Sequence, residues 1–537
     1  MNISEAEKQI KYAAECYLEK DSDGEYLIPL EEQRPLFLYG PPGIGKTAVA
    51  AQAAEELHLG FLSYSLTHHT RQTALGLPFI TEKQYQGKAV KISSYTMSEI
   101  VASIYDLMEE TGVKEGILFL DELNCVSETL APAMLRFLQF KEFGQYKIPE
   151  GWVIVTAGNP PEYNAGARNF DLVTLDRVKK ITVEPDYPAW RAYAVRQGVH
   201  PLVLSYLDTR KEDFYSVETT VDGTEFVTAR GWMDLSTMLK LYEKKHFPID
   251  EKLIMQYVQN ERIARSFASY CDLFYEYKRV YPVDEILKGT AEDEITRRAH
   301  EASLDERLVL LQLIFDRMKD PIREVCRRRR GIRDLEKRIK KSVGQPSRHR
   351  YGEMINILQD LSAELSDELA RSKKSGSSSE EEQKITRSEI RLLTAWVKEL
   401  LHEGTERGRD DKGSVAGDLI AARMNEQLHE LKQKIEISRR NLENVFQFCE
   451  DAFGLSHEML ILVTELTADF YCADFISHYG CPAYDEYSEK LQFTGRGEKI
   501  RKDLKELNSA SDEPDAEEAP QTDAAKNPRQ EEKGAEK

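Results

Sequence analysis

The amino-terminal third of the chain alternates short apolar runs with amphipathic stretches. Residues 3 to 18 place Ile10, Ala14 and Tyr17 on one side, which predicts an amphipathic helix. Leu36 to Tyr39 is a four-residue apolar run of strand type, and the Ala/Glu/Leu-rich segment Ala48 to Leu57 predicts a helix. Phe61 to Leu66 reads as a second strand, and the weakly alternating stretch Thr67 to Ser98 as loops or a hairpin. Ser98 to Glu110 reads as a helix with Ser98 as its N-cap. Gly116 to Leu120 is apolar throughout, as a strand covered on both faces must be, and ends in Asp121-Glu122. Leu130 to Phe140 reads as a helix and Phe143 to Pro149 as a hairpin. The strand Trp152 to Ala157 runs straight into Gly158-Asn159-Pro160-Pro161, and Lys179 to Val183 is the last strand of the series. Buried strands separated by helices predict a parallel α/β sheet.

Beyond Tyr187 the pattern turns helical. Trp190, Tyr193, Leu202, Leu204 and Leu207 are spaced for packing, Gly223 signals a turn, and Ala229 to Tyr242 predicts a helix. Leu304 to Val343 and Ile385 to Leu401 read as helices, joined by the low-complexity segment RSKKSGSSSEEE, Arg371 to Glu382, read as a linker. Met424, Leu428, Leu431, Ile435, Ser438, Leu442, Val445 and Cys449 recur at spacings of three and four, the stripe of an intramolecular bundle. Leu455 to Tyr479 is apolar and helical, and Ser509 to Lys537 has the composition of a disordered tail. The expected organisation is an α/β nucleotide-binding domain over 1–185 and a helical lid over 186–280. A large all-α accessory domain follows over 281–505, with a linker near 371–384, and then a disordered acidic tail over 506–537.

Charge and cysteine usage narrow the classes of function. The 537-residue chain carries a formal net charge of -20, which disfavours nonspecific nucleic-acid binding. Arg327 to Arg330 invite a nucleic-acid reading, but within a helix of an acidic chain they read as a face with acidic partners. Seven scattered cysteines, an odd number with no CxxC, suggest free thiols in a reducing compartment. With no apolar signal core and no run long enough to span a bilayer, a soluble cytoplasmic protein without a membrane partner is expected. Neither adjacent His68 and His69 nor the set Cys472, His478 and Cys481 has the spacing of a zinc site.

Two stretches carry chemistry. Gly40-Pro41-Pro42-Gly43-Ile44-Gly45-Lys46-Thr47 fits GxxxxGK[ST], between a strand and a helix opening at Ala48. Such a loop turns backbone N–H groups towards phosphates, and the helix N-terminus adds partial positive charge. Lys46 would reach the β- and γ-phosphates, and the Thr47 hydroxyl would bind Mg2+. Asp121 and Glu122 leave the C-terminal end of a buried strand, where ligands sit in parallel sheets. Asp121 would hold Mg2+, and Glu122 would polarise the water attacking the γ-phosphate. Asn159 is either the side chain that orients this water or a turn residue before two prolines. Arg168 and Arg177 are each either a stabiliser of phosphoryl charge, in cis or from a neighbouring subunit, or a surface arginine.

GPPGIGKT, ILFLDEL, TAGNPPEYN, TLDRVKKI and TARGW, in this order from about residue 30 to about residue 275, resemble the MoxR branch of the AAA+ ATPases. The resemblance implies a parallel sheet flanked by helices with a helical lid, ATP and Mg2+ as ligands, and ATP hydrolysis. It makes Gly40 to Thr47 the Walker A loop and Asp121-Glu122 the Walker B pair, and puts Asn159 at sensor 1 and Arg230 at sensor 2. Arg177 falls at the arginine finger serving the next subunit, with Arg168 the alternative. Thr70 to Pro78 falls at the family's helix-2 insert. A hexameric ring, a chaperone-like action on a client protein and a von Willebrand factor A (VWA) domain partner are further expectations. A nucleic-acid-stimulated motor of the same fold and a nucleotide-gated scaffold with little turnover remain alternatives.

Overall fold

The computed structural model describes residues 1–68, 76–85, 88–143, 145–220, 223–344, 351–407 and 413–490. Its first element, α1 (Ile3–Leu18), is closed at its start by a capping box in which Asn2 and Glu5 satisfy each other's backbone N–H. Five parallel strands then form one sheet: β1 (Leu36–Tyr39), β2 (Gly60–Ser65), β5 (Gly116–Asp121), β8 (Trp152–Gly158) and β9 (Lys179–Thr182). Their order is β2-β5-β8-β1-β9, so β1 sits between the two strands that come last in the chain.

The sheet forms because its three central strands, β5, β8 and β1, are apolar on both faces. Along β1, Leu36 and Leu38 pack into a cluster with Ile10 and Ala14 of α1 and Val49 and Ala53 of α2 (Lys46–Glu56). Phe37 points the other way. It joins Ile100 and Ile104 of α3 (Glu99–Thr111) and Phe137 of α4 (Ala131–Phe140). Strand β5 splits in the same manner, with Ile117 and Phe119 on the first face and Leu118 and Leu120 on the second. Both expected hairpins are present. One is β3 (Pro78–Tyr85) with β4 (Lys88–Tyr95), and the other is β6 (Glu142–Phe143) with β7 (Tyr146–Lys147). Ser98 sits at the N-cap of α3, but its buried Oγ makes no capping bond. The short α5 (Leu172–Leu175) precedes β9.

The lid collects α6 (Tyr187–Arg196), α7 (Pro201–Thr209), α8 (Ala229–Lys245), α9 (Glu251–Met255) and α10 (Glu261–Val280). Trp190, Leu202, Tyr206, Trp232, Leu235 and Phe267 make its core. The expectation of helix alone from 187 to 277 needs one correction. An antiparallel hairpin, β10 (Ser216–Thr220) with β11 (Gly223–Val227), interrupts the helices. Alternating VETT and TEFV residues give it strand periodicity, and Gly223 supplies the positive φ of its turn.

The remaining helices are α11 (Val283–Lys288), α12 (Asp293–Glu301), α13 (Leu304–Val343), α14 (Tyr351–Ser375), α15 (Glu380–Arg407), α16 (Gly413–Phe453), α17 (His457–Ala468) and α18 (Phe470–Tyr479). Val309 and Leu313 near the start of α13 lie in the lid core, whereas Leu335, Ile339 and Val343 near its end pack with α14, α15 and α16. Within the segment read as a linker near 371–384, α14 continues to Ser375 and α15 starts at Glu380, so residues 376–379 are the tight turn of a helical hairpin. Ser379 and Glu382 form a capping box there, each satisfying the other's backbone N–H at 3.0 Å. Polar low complexity thus concealed a helix start. In the α16 stripe, Leu431, Ser438, Leu442, Val445 and Cys449 are buried, as a bundle stripe should be, while Leu428 is exposed. The apolar stretch after Leu455 divides at Asp469, whose carboxylate accepts from the backbone N–H of Tyr471 and Cys472.

The four arginines have acidic or aromatic partners. Arg327 forks onto Glu381, Arg328 bonds Glu430, Arg329 bonds Asp474, and Arg330 lies over the Phe470 ring. Cys472 and Cys481 are buried, and His478 pairs with Asp474. Among the described residues no group of three potential metal ligands occurs, and no helix is long and apolar enough to cross a membrane. His69, most of the Thr70–Pro78 insert and the 506–537 tail lie outside the described residues. Residues 1–481 form one compact unit, and 482–490 is helical within a second one.

The helical region touches both halves of the nucleotide-binding module. On the sheet side, the α14–α15 turn sits beside β2, with Gly376 against Phe61, and Lys374 pairs with Glu110 of α3. On the lid side, Arg191 of α6 bonds Asp208 of α7 at 2.6 Å and Glu465 of α17 at 2.6 Å. Arg191→Met leaves two carboxylates without their shared cation. Thermal unfolding monitored by circular dichroism should show a loss of about 2 kcal/mol, and an unchanged midpoint would mean that this junction contributes nothing.

Candidate functional site

Three neighbouring strands of the sheet, β5, β8 and β1, end on the same edge, and each contributes a polar group there. The loop after β1 is shaped by glycines. Gly43 and Gly45 adopt positive φ angles of 74° and 99°, which favour glycine. A Cβ at Gly40 would stand 2.2 Å from the Val183 carbonyl oxygen, and one at Gly43 2.6 Å from the Thr228 side chain. Both glycines are therefore required by close packing.

Lys46 opens α2 and turns back under this loop. Its Nζ donates to the carbonyls of Gly40 and Pro41 and to Asn159 Oδ1, each at 2.8 Å. Asn159 at the end of β8 is thus tied to the loop. Burial lowers the Lys46 ammonium to about 8; Asp121 and Glu122 oppose this and the Arg230 cation adds to it. A buried cation short of compensating charge is suited to an anionic ligand.

Thr47 Oγ1 donates to Asp121 Oδ2 at 3.1 Å. A hydroxyl and a carboxylate set side by side are oxygen donors of the kind Mg2+ takes, so these two residues fit that ion. Glu122 follows with a positive φ of 57°, uncommon for a non-glycine residue and characteristic of functional positions. Its backbone N–H bonds Asp121 Oδ1, and its carboxylate accepts from Ser65 Oγ at 3.3 Å.

The lid reaches the same loop from the other side. Thr228 caps α8 by accepting from Gly231 N–H, and the Arg230 N–H donates to the Gly43 carbonyl at 3.1 Å. Tyr215 donates its hydroxyl to the Pro42 carbonyl at 3.0 Å. Between loop and lid lies a cavity of about 320 Å³, of a size suited to a small ligand. Ile44, Gly45, Thr47 and Ala48 line it from the loop side, with Tyr193 and Arg230 from the lid.

The expected residues therefore divide. Lys46, Thr47, Asp121 and Asn159 are joined by direct hydrogen bonds, and Arg230 lines the cavity. Arg177 lies in the turn after α5 and is not among the cavity's lining residues; its charge acts on Asp171. Arg168 pairs with exposed Glu128. Sequence reasoning missed Asn124, Tyr215 and Tyr193. Buried Asn124 donates to the Asn159 carbonyl at 2.7 Å and to the Arg168 carbonyl at 3.2 Å, which holds the β8 tip. A polar residue three positions past Asp121 was a legible signal for it, whereas Tyr215 and Tyr193 reach the loop only through the lid's folding.

Residues 36–164 match the family described as "ATPase family associated with various cellular activities (AAA)". No curated protein matches the chain. Among solved structures, two mutant forms of Thermotoga maritima RuvB align at 14% identity over 48% of this chain and 67% of theirs. Their TM-scores are 0.25 and 0.26. The stretch that matches the family carries the glycine loop, Lys46, Thr47, Asp121, Glu122 and Asn159, so these residues all lie within the segment that is similar to the AAA ATPase family.

Proposed function

We propose that this ATPase domain hydrolyses ATP in the cleft between sheet and lid, and that the protein spends the reaction on remodelling or maturing a client protein. The observation that carries the reading is the junction of three strand ends: Lys46 bonded to Asn159, and Thr47 bonded to Asp121. The glycine loop and Lys46 would bind the phosphates, and Thr47 and Asp121 would hold Mg2+, which neutralises phosphate charge when bound. Glu122 is the general base for the attacking water, and Asn159 orients that water. Arg230, on the lid, contacts the γ-phosphate and so makes the lid's position depend on the nucleotide.

Arg177 serves the next subunit's nucleotide in this reading, by the position of TLDRVKKI in the MoxR resemblance. A ring follows, hexameric in the MoxR branch, and a VWA-domain partner is proposed on the same resemblance. The Arg327–Arg330 run, the sequence feature that favoured a nucleic-acid motor, has intramolecular partners.

Glu122→Gln should lower turnover by about 10²- to 10⁴-fold while fluorescent-nucleotide binding persists; turnover equal to wild type would instead indicate a nucleotide-gated scaffold. Phosphate binding should draw the lowered Lys46 back towards its ordinary value. Calorimetry in buffers of different ionisation enthalpy should then show proton uptake when the pH is at or above about 8, and affinity should weaken as pH rises through that region. Arg177→Ala mixed into wild type should depress the rate per wild-type subunit, and the wild-type rate per subunit should rise with protein concentration. A rate indifferent to both would exclude the ring.

A further inference from the structure

A second cavity, of about 640 Å³, lies where α13, α14 and α15 meet the loop after α2 and the end of α3. It shares no lining residue with the nucleotide cleft. Its volume falls in the range of small-molecule sites. Glu389 of α15 forms part of its wall and is 3% exposed, yet Glu389 Oε1 has no hydrogen-bond partner. The cation beside it is already committed, because Arg338 forks onto Glu368 at 2.9 and 3.2 Å.

The other carboxylates around the cavity have partners of their own: Glu368 has Arg338, Asp334 pairs with Arg333 at 3.7 Å, and Glu382 accepts from the Ser379 N–H. Burial pushes the Glu389 carboxyl up to about 7; Arg338 opposes this, and Asp334 and Glu368 add to it. A proton on Glu389 or a cation bonded to it would give the buried Oε1 the partner it lacks. Hydroxyls line the same space, among them Ser372, Ser375 and Thr386, and they offer a polar ligand further partners.

We propose that this cavity is an effector site for a small organic monocation with N–H donors, an amine or a guanidine, whose charged end bonds Glu389. The α14–α15 turn that forms part of the wall also sits against β2 and α3, so occupancy bears on the domain that carries the nucleotide loop. The site is independent of whether the protein hydrolyses ATP. Linkage fixes its sign: a cation favours the ionised carboxyl, so binding near pH 7 releases a proton, and affinity rises with pH until Glu389 is fully ionised. Without ligand, the raised carboxyl makes folding stability fall as pH rises towards about 7.

The test is calorimetric titration of the full chain with n-butylguanidinium and with n-butylammonium separately, and with neutral n-butylurea as control. At least one cation should bind at millimolar concentration or tighter with proton release near neutral pH, and n-butylurea should not. Glu389→Gln, with its ATPase rate and circular dichroism spectrum as fold controls, should bind that cation at least about 10-fold more weakly. Absence of binding by either cation, binding without proton release, equal binding of n-butylurea, or an unchanged affinity in the glutamine variant would each overturn the proposal. The proton-release measurement needs only the wild-type chain, so misfolding of the variant does not remove the test.

Discussion

The ammonium of Lys46 is the interaction on which the rest of the site depends. It is buried, and it is held by two carbonyls of its own loop and by the side chain of Asn159 from another strand. Neutral oxygens satisfy its hydrogen bonds but leave its charge only partly compensated, and the lowered Lys46 pKa records that cost. An anion delivered to the loop supplies the missing compensation. The sheet order makes the arrangement possible. With β1 between β8 and β9 and next but one to β5, the ends that bear Lys46, Asn159 and Asp121 are neighbours on one edge. Parallel strands all deliver their C-terminal ends to that edge, which is where a ligand finds convergent polar groups.

The lid is held to this edge by few polar contacts. Arg230 N–H and the Tyr215 hydroxyl bond carbonyls of the glycine loop, and the packing of Gly43 against Thr228 leaves no space for a larger residue. A small change in the loop is therefore transmitted directly to the start of α8. The helical region beyond residue 280 is attached to both halves of the module, to the lid through the lid core and Arg191, and to the sheet through the α14–α15 turn.

The charge distribution within that bundle differs from what the acidic composition suggests. Arg327, Arg328 and Arg329 are each neutralised by an acidic side chain from another helix, and Arg330 lies over an aromatic ring. The partners Glu381, Glu430, Asp474 and Phe470 are far away in the sequence. Glu389 is the opposite case, an anion whose nearest cation is taken by Glu368.

Sequence alone determined the sheet's central strands and located the glycine loop and the acidic pair. Continuous apolar runs located β1, β5 and β8, because a strand buried on both faces has no polar side to show. The glycine loop and the acidic pair were legible because phosphate and Mg2+ binding restrict residue types at fixed local spacing. Asn159 had two readings in the sequence, and its 2.8 Å bond to Lys46 was not legible there, since that contact spans two strands. The β10–β11 hairpin was hidden among helical periodicities, and the capping box of Ser379 and Glu382 inside a low-complexity segment. Tyr215, Tyr193 and the cavity around Glu389 were decided by tertiary structure alone, because their neighbours come from elements that are remote in the chain and meet only when the lid and helical region fold back onto the sheet.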